Sequence, residues 1–448
     1  MTGDQAQLTS QERRSVLLGP AYRILGTPAV AALGLFNTAI IVRETGATVF
    51  GLVSLIATLT LLFPFADLGI SSTVMSASAQ LNKPVRDCEA ADVIRRGYHV
   101  LFGMAALLIV VALGIMTIDR WTVLTGFSSG PHDRWAITVA ACLFALTLPG
   151  GIGLRILGGL NRVPLATLVM MSFPALALCL TGTLYLLHAP GIWYSISALG
   201  GLLIGQIVAT VLALRLSGLG WSAFGRVRGS YRHKRLLAGS LWLFLVAVGA
   251  PAGLQTGRLL LAHLSTPTEL AQYALMAQLY GVCWSAMSTA GYAYWPVFVK
   301  RRGATETTVG MWWKLTGVFS AIAALITVGL VALGPFTCNL LSGGQITVSA
   351  WLALAFGVLL IGQAAHIPAS VLLTCPHEAR WQALWTLAMA TLSIVLAAAA
   401  ASSFGAVGVV VAAAVAILVA QVAPDLIWVP SLVRRRPVQD ERMVAPTQ

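Results

Sequence analysis

Twelve apolar stretches, each long enough to cross a bilayer, follow one another along this chain with short polar breaks between them. A helix needs about 20 predominantly apolar residues to span the hydrocarbon core. The stretches run near 17–42, 49–79, 97–118, 135–155, 164–187, 193–214, 237–262, 270–297, 310–334, 348–373, 381–401 and 405–430. In lipid every backbone N–H and C=O must be satisfied within its own segment, so stretches of this length read as helices. The expected class is an all-α, polytopic membrane protein. Composition agrees: charged residues make up 10% of the 448, against about 25% in a soluble domain. The apolar run from Ile24 to Val42 exceeds a signal-peptide core and more spans follow at once, so it reads as a retained helix. The final pair of spans is parted by Ala401-Ser402-Ser403-Phe404-Gly405, a turn-like composition.

The basic residues give the orientation. With the N-terminus inside, the inner segments hold Arg13 and Arg14; Lys83, Arg86, Arg95 and Arg96; Arg155 and Arg162; Arg215, Arg226, Arg228, Arg232, Lys234 and Arg235; Lys300, Arg301 and Arg302; Arg380; and Arg434, Arg435, Arg436 and Arg442. Only Arg43, Arg120 and Arg134 fall in outer loops. That asymmetry predicts both termini in the cytoplasm and an even number of spans, in a bacterial cytoplasmic membrane. The net charge of +13 is thus a topology signal. Its division among short inner segments argues against nucleic acid as a partner, and anionic lipid headgroups are the expected contact.

The longest inner loop, 215–236, divides the spans six and six. The expected organisation is a cytoplasmic tail (1–16), an N-lobe (17–214), a basic linker (215–236), a C-lobe (237–430) and a second tail (431–448). Two lobes of equal orientation match the parallel repeats of several transporter folds. A weak echo links Thr45 to Leu52 with Thr268 to Leu275, each a polar turn followed by an aromatic, a small residue and a leucine. In the linker, Trp221, Phe224 and Arg228 have the spacing of a short surface helix. Prolines fall inside spans at Pro28, Pro64, Pro174, Pro251 and Pro368, and glycines gather at Gly150, Gly151, Gly153, Gly158 and Gly159. Bends and small-residue seams suit a moving transporter, and they are also ordinary in membrane helices.

Ionisable groups inside a span are costly and therefore candidates for function. Arg23 lies about 9 Å inside the first span at 1.5 Å per residue; it either snorkels to the headgroups or faces a cavity, where Tyr22 and Asn37 would add polar lining. Arg258 follows Gln255-Thr256-Gly257 at a similar distance from the outer end of the seventh span. Guanidiniums lining a cavity suit a diphosphate, because the fork matches phosphate oxygens bidentately. Asp67, beside Pro64 in the second span, either couples an ion or caps backbone freed by the proline. Lys314 and Asp425 lie near inner span ends and read as interfacial or snorkelling. The seven histidines form no HxxxH pair and the six cysteines no CxxC pair, so no metal site is expected. Gly150 to Arg155 ends a span with no following βαβ unit, and no P-loop is present. No cofactor is expected.

Several segments resemble those of a known family. Val42 to Gly51 resembles the first outer loop of O-antigen-type (Wzx-like) polysaccharide flippases of the multidrug/oligosaccharidyl-lipid/polysaccharide exporter superfamily. Phe65 to Ile70, Arg155 to Arg162, and Arg258 through Leu275 are similar to the second span, the segment after the fourth span and the seventh-to-eighth connection of that family. Relatives often carry an acidic residue where Arg258 stands, and the arginine weighs against cation binding there. The resemblance implies two six-helix lobes around a central cavity, and alternating access that carries an undecaprenyl-diphosphate-linked oligosaccharide from the inner to the outer leaflet. It also implies a polysaccharide polymerase or glycosyltransferases as partners.

Three other readings remain. A cation-coupled multidrug exporter of the same superfamily should show an acidic lobe, and Asp67 is the only deep carboxylate the sequence offers. A membrane polymerase or ligase needs catalytic groups clustered on one face, for which the loop with Asp119, Arg120, His132, Asp133 and Arg134 is short. A structural membrane partner would have no use for buried arginines.

Overall fold

A single helix of 53 residues would be about 80 Å long, more than twice the hydrocarbon thickness of ~30 Å. Helix α1 (Ser10–Leu62) avoids this by breaking at Gly46, whose φ of 76° and ψ of 166° lie outside the helical region. One helix thus holds the first expected span and the opening part of the second, as far as Leu62, joined at the predicted outer turn. The computed structural model describes residues 10–62, 70–79, 81, 87–126, 130–225, 234–301, 305–373 and 376–435. Asp67 and Arg228 lie outside the described residues, and of Arg23 only the backbone, within α1, is described.

The chain divides into two compact units, Met1–Leu237 and Ala238–Gln448. After α1 the first unit contains α2 (Ile70–Ser78), α3 (Asp87–Thr117), the short α4 (Trp121–Thr125), α5 (Pro131–Gly150), α6 (Ile152–Gly159), α7 (Val163–Leu186) and α8 (Ser195–Leu216). Single 3-10 turns at Gly191–Tyr194 and Gly220–Phe224 flank α8. Helix α1 packs on α7, α7 on α8, α3 on α5, α5 on α8 and α2 on α6. The interior of this unit is closed by Val74, Ile94, Leu101, Ile152, Ile156, Leu157 and Ala209. Other large apolar side chains stay uncovered, Leu107 and Val110 among them at 64% and 65% exposure. On a helix this apolar, such a face is the one turned to lipid tails.

In the described part of the linker, Gly220–Phe224 form a 3-10 turn; the expected surface helix through Arg228 reaches residues outside those described. The Phe224 ring lies 4.7 Å from that of Tyr98. Arg95 donates from Nε to the Ser222 carbonyl at 2.8 Å and from Nη1 to Asp92 at 2.7 Å. Trp221, 85% exposed, projects from the turn.

The second unit begins within α9 (Lys234–Leu264) and continues through α10 (Pro267–Tyr292), α11 (Trp295–Lys300), α12 (Thr305–Ser342), α13 (Ala350–Leu372), α14 (Pro376–Ile417) and α15 (Ala423–Arg434). Helices α12 and α13 form its most extensive pair, and α13 also packs on α10 and α14. Helix α14 repeats the device of α1. Gly405, with φ 54° and ψ −139°, joins two helical arms through one residue. Glu269, in the first turn of α10, accepts the Ala406 N–H at 2.7 Å and so caps the second arm from a neighbouring helix. Removing that carboxylate leaves a helix N-terminus uncapped, a loss of about 1 kcal/mol. Glu269→Ala is therefore expected to speed hydrogen exchange of the Ala406 amide, while Glu269→Gln, which still accepts, stays near wild type.

Nine helical stretches among the described residues are long and apolar enough to cross a membrane. Two of them, Gly26–Ala57 and Glu378–Arg434, contain the glycine breaks and so span more than one crossing. Helix α10 is 26 residues long, yet it is absent from that set; Gln272, Gln278, Ser285 and Thr289 lower its hydropathy. With these corrections the helices approach the twelve crossings expected.

Candidate functional site

Helix α9 carries Gly249, Gly253 and Gly257 at intervals of four, a small-residue stripe on one face. That stripe meets α14: a Cβ at Gly249 would touch Thr386, one at Gly253 Ala390, and one at Gly257 Val409. Ser393 donates its hydroxyl across the seam to the Gly253 carbonyl at 2.7 Å. With these small residues against α14, the next residues along the helix are set at fixed angles around it.

Arg258 is one of them. Its guanidinium carbon lies 5.8 Å from the centre of the Tyr273 ring on α10, within cation–π range. Gln255, three residues earlier on the same side of the helix, is half-buried. Thr256 returns its hydroxyl to the Ala252 carbonyl at 2.5 Å. In the Gln-Thr-Gly-Arg run, Thr256 and Gly257 serve the helix and its packing, while Gln255 and Arg258 are its longer polar side chains.

Tyr273 opens a ladder along the seam of α10 and α13. Its ring is 5.3 Å from Phe356, and Phe356 is 5.2 Å from Tyr280. Tyr280 donates its hydroxyl to Gln363 Oε1. One turn beyond Gln363, His366 contacts Asp425 of α15, Nδ1 to Oδ2, at 2.6 Å. Asp425 is 2% exposed. It does not snorkel, as its position near a span end had implied. Helix α15 runs to Arg434, beyond the expected end at 430, which places Asp425 about 13 Å from the helix terminus.

In the first unit, Asn37 and Thr38 are buried in α1. Thr38 bonds back to the Gly34 carbonyl at 3.0 Å. The Asn37 Oδ1 is buried with no hydrogen-bond partner among the described residues. An orphan acceptor in an apolar setting costs about 1–3 kcal/mol, which a ligand donor or water would offset. Arg23 precedes Asn37 by 14 residues, nearly four turns, so the two positions share a side of this helical arm.

Three ionisable groups of the 119–134 loop, Asp119, Asp133 and Arg134, are committed to structure. Arg134 pairs with Asp119 at 2.9 Å, and Asp133 accepts the Gly130 N–H at 2.9 Å. Lys314 is exposed on α12. Among the described residues no three His, Cys, Asp or Glu side chains gather as a metal site would require.

Comparison with known proteins places this geometry. A family described as polysaccharide biosynthesis protein matches residues 17–302. No curated protein sequence matches. Among solved structures, the chain resembles an inward-facing multidrug resistance MATE family transporter of the MOP superfamily, with a TM-score of 0.68 at 13% identity over 91% of this chain and 96% of that one. It resembles the lipid II flippase MurJ in an inward closed conformation with a TM-score of 0.61, also at 13% identity, over 89% of this chain and 86% of that one. A MOP superfamily transporter from Pyrococcus furiosus, described as having a binding pocket of reverse polarity, aligns over 97% of this chain with a TM-score of 0.57 at 13% identity. These TM-scores show a shared fold, and at 13% identity the likeness is one of fold alone.

Proposed function

The chain belongs to the polysaccharide biosynthesis protein family, and from that premise we propose that it moves an undecaprenyl-diphosphate-linked oligosaccharide from the inner to the outer leaflet by alternating access. It is a multi-pass membrane protein of the transporter and flippase superfamily that bears this fold. The observation that carries the substrate class is Arg258. It is a permanently charged group held over Tyr273 within an apolar helix, where a point of positive charge has no use to lipid. Arg258 would hold the diphosphate, with Arg23 as a second anchor and Asn37 and Gln255 meeting sugar hydroxyls. Asp67 would couple or support the second span. Both termini would be cytoplasmic, in the bacterial cell membrane, and the inner basic segments would rest on anionic headgroups. A polymerase or glycosyltransferases would supply and consume the glycan.

Reconstitution tests this. Proteoliposomes loaded with a fluorescent undecaprenyl-diphosphate oligosaccharide should expose the sugar to external glycosidase at a protein-dependent rate. No rate above that of empty liposomes would overturn the proposal.

A second reading, cation-coupled drug export, gains one observation that the sequence did not offer: Asp425 is a buried intramembrane carboxylate in the second unit. Ethidium efflux driven by an imposed proton gradient, without glycan transfer, would favour it.

A further inference from the structure

The contact between His366 and Asp425 sits where two helices are both irregular. On α13, Pro368 follows His366 by two residues and withholds an N–H from the turn before it. On the other side, Pro424 has no N–H to give Ala420. The helix widens there into a π turn over Leu418–Val422, with the Ala423 N–H reaching back to the Leu418 carbonyl. Asp425 emerges one residue after that proline. Single π turns within α-helices are frequently places where a helix shifts. A proline-interrupted helix and one with a π turn are thus tied within a membrane-embedded unit by one imidazole and one carboxylate at 2.6 Å.

We propose that His366 and Asp425 form a proton-binding clasp, and that loss of its proton releases α15 at the Leu418–Val422 turn. With the imidazole protonated, the pair is His⁺ and Asp⁻ and carries no net charge. When the proton leaves to water, a carboxylate that is 2% exposed keeps a net charge of −1 in apolar surroundings. Such a charge is costly at that depth, and the conformation that takes it to water is favoured. An imidazole ordinarily makes this exchange between pH 5 and 8.

Among the described side chains, these titratable and charged groups of α10, α12, α14 and α15 stand on the elements around the pair. On α10, Tyr280 bonds Gln363, Tyr273 lies against Arg258, Cys283 is half-buried, and Glu269 holds Ala406. On α12, Glu306 pairs with Arg434 at 2.9 Å, Lys314 is exposed and Cys338 is buried near the far end. On α14, Glu378 is buried in the first turn and Arg380 lies over Trp242. Arg435 is exposed at the end of α15. Use of the clasp to drive transport rests on the function proposed above; proton binding does not.

The test is hydrogen exchange of the 418–434 segment in nanodisc-embedded protein at pH 5.5 and 8.0, each normalised to an unstructured peptide of the same sequence. Wild-type protection is expected to fall about tenfold or more between the two, given the cost of an unpaired intramembrane charge. Asp425→Asn should abolish the fall. His366→Gln should do the same, and it serves if the first variant does not insert. Equal wild-type protection at both pH values, or a full fall retained in either variant, would overturn the clasp. No glycan enters this readout, so failure of the flippase reading would appear in the liposome assay alone.

Discussion

Replacing Arg258 by alanine should cut transport of a diphosphate-linked glycan by about 10- to 100-fold while leaving the protein in the membrane. A charge-assisted contact to phosphate is worth about 1.5–3 kcal/mol, and each 1.4 kcal/mol is about tenfold. The arginine sits three residues beyond Gln255 and 5.8 Å from the centre of the Tyr273 ring, so its removal deletes the charge and the group that orients against that ring. Arg258→Lys keeps the charge and loses the planar fork, and an intermediate rate is expected. Tyr273→Leu leaves the charge but not its π face, a smaller loss of about 0.5–2 kcal/mol. The measurement is initial transfer rate at matched abundance in proteoliposomes. Wild-type rates in Arg258→Ala would remove this residue from the site, and the same comparison for Arg23→Ala applies to the first unit.

The second large effect is on folding. A Cβ placed on Gly253 would lie 2.8 Å from the Ala390 Cα and 3.2 Å from its Cβ. Backbone cannot swing aside as a side chain does, and overpacking a tight seam costs about 1–3 kcal/mol or more. Gly253→Leu adds three further carbons at that point and displaces the carbonyl that Ser393 donates to. Little or no monodisperse protein is expected after detergent extraction. Gly317→Leu on α12 is the control: nothing lies within 4 Å of its added Cβ, and the position is exposed. Normal yield of the Gly253 variant on fluorescence-detected size exclusion would show that the α9–α14 seam is looser than its geometry.

The span layout was legible because long apolar runs have a single stable solution in lipid. Arg258 was legible for the same reason, as a charge where none belongs. Its partner Tyr273 was less so, since the two meet only when α10 folds back on α9. The His366–Asp425 contact joins residues 59 positions apart, and Asp425 alone reads as a residue near a span end. Knowing that α15 continues to Arg434 changes the depth of Asp425, and helix ends are the least legible feature of a sequence. The break between the last two spans was visible as a turn-like run, but its form was not. Whether Ala401 to Gly405 makes a loop or a one-residue joint depends on Glu269, which lies 137 positions before Ala406. The stripe of Gly249, Gly253 and Gly257 was open to reading as a close-packing motif.

The one-residue joints at Gly46 and Gly405 have a bearing on how a cargo can be chosen. A hairpin that spends a single glycine on reversing its course exposes almost no backbone beyond the rim. Under the function proposed above, those two joints would offer no polar loop to grasp a carbohydrate as it emerges, so discrimination among glycans would be exercised elsewhere in the chain.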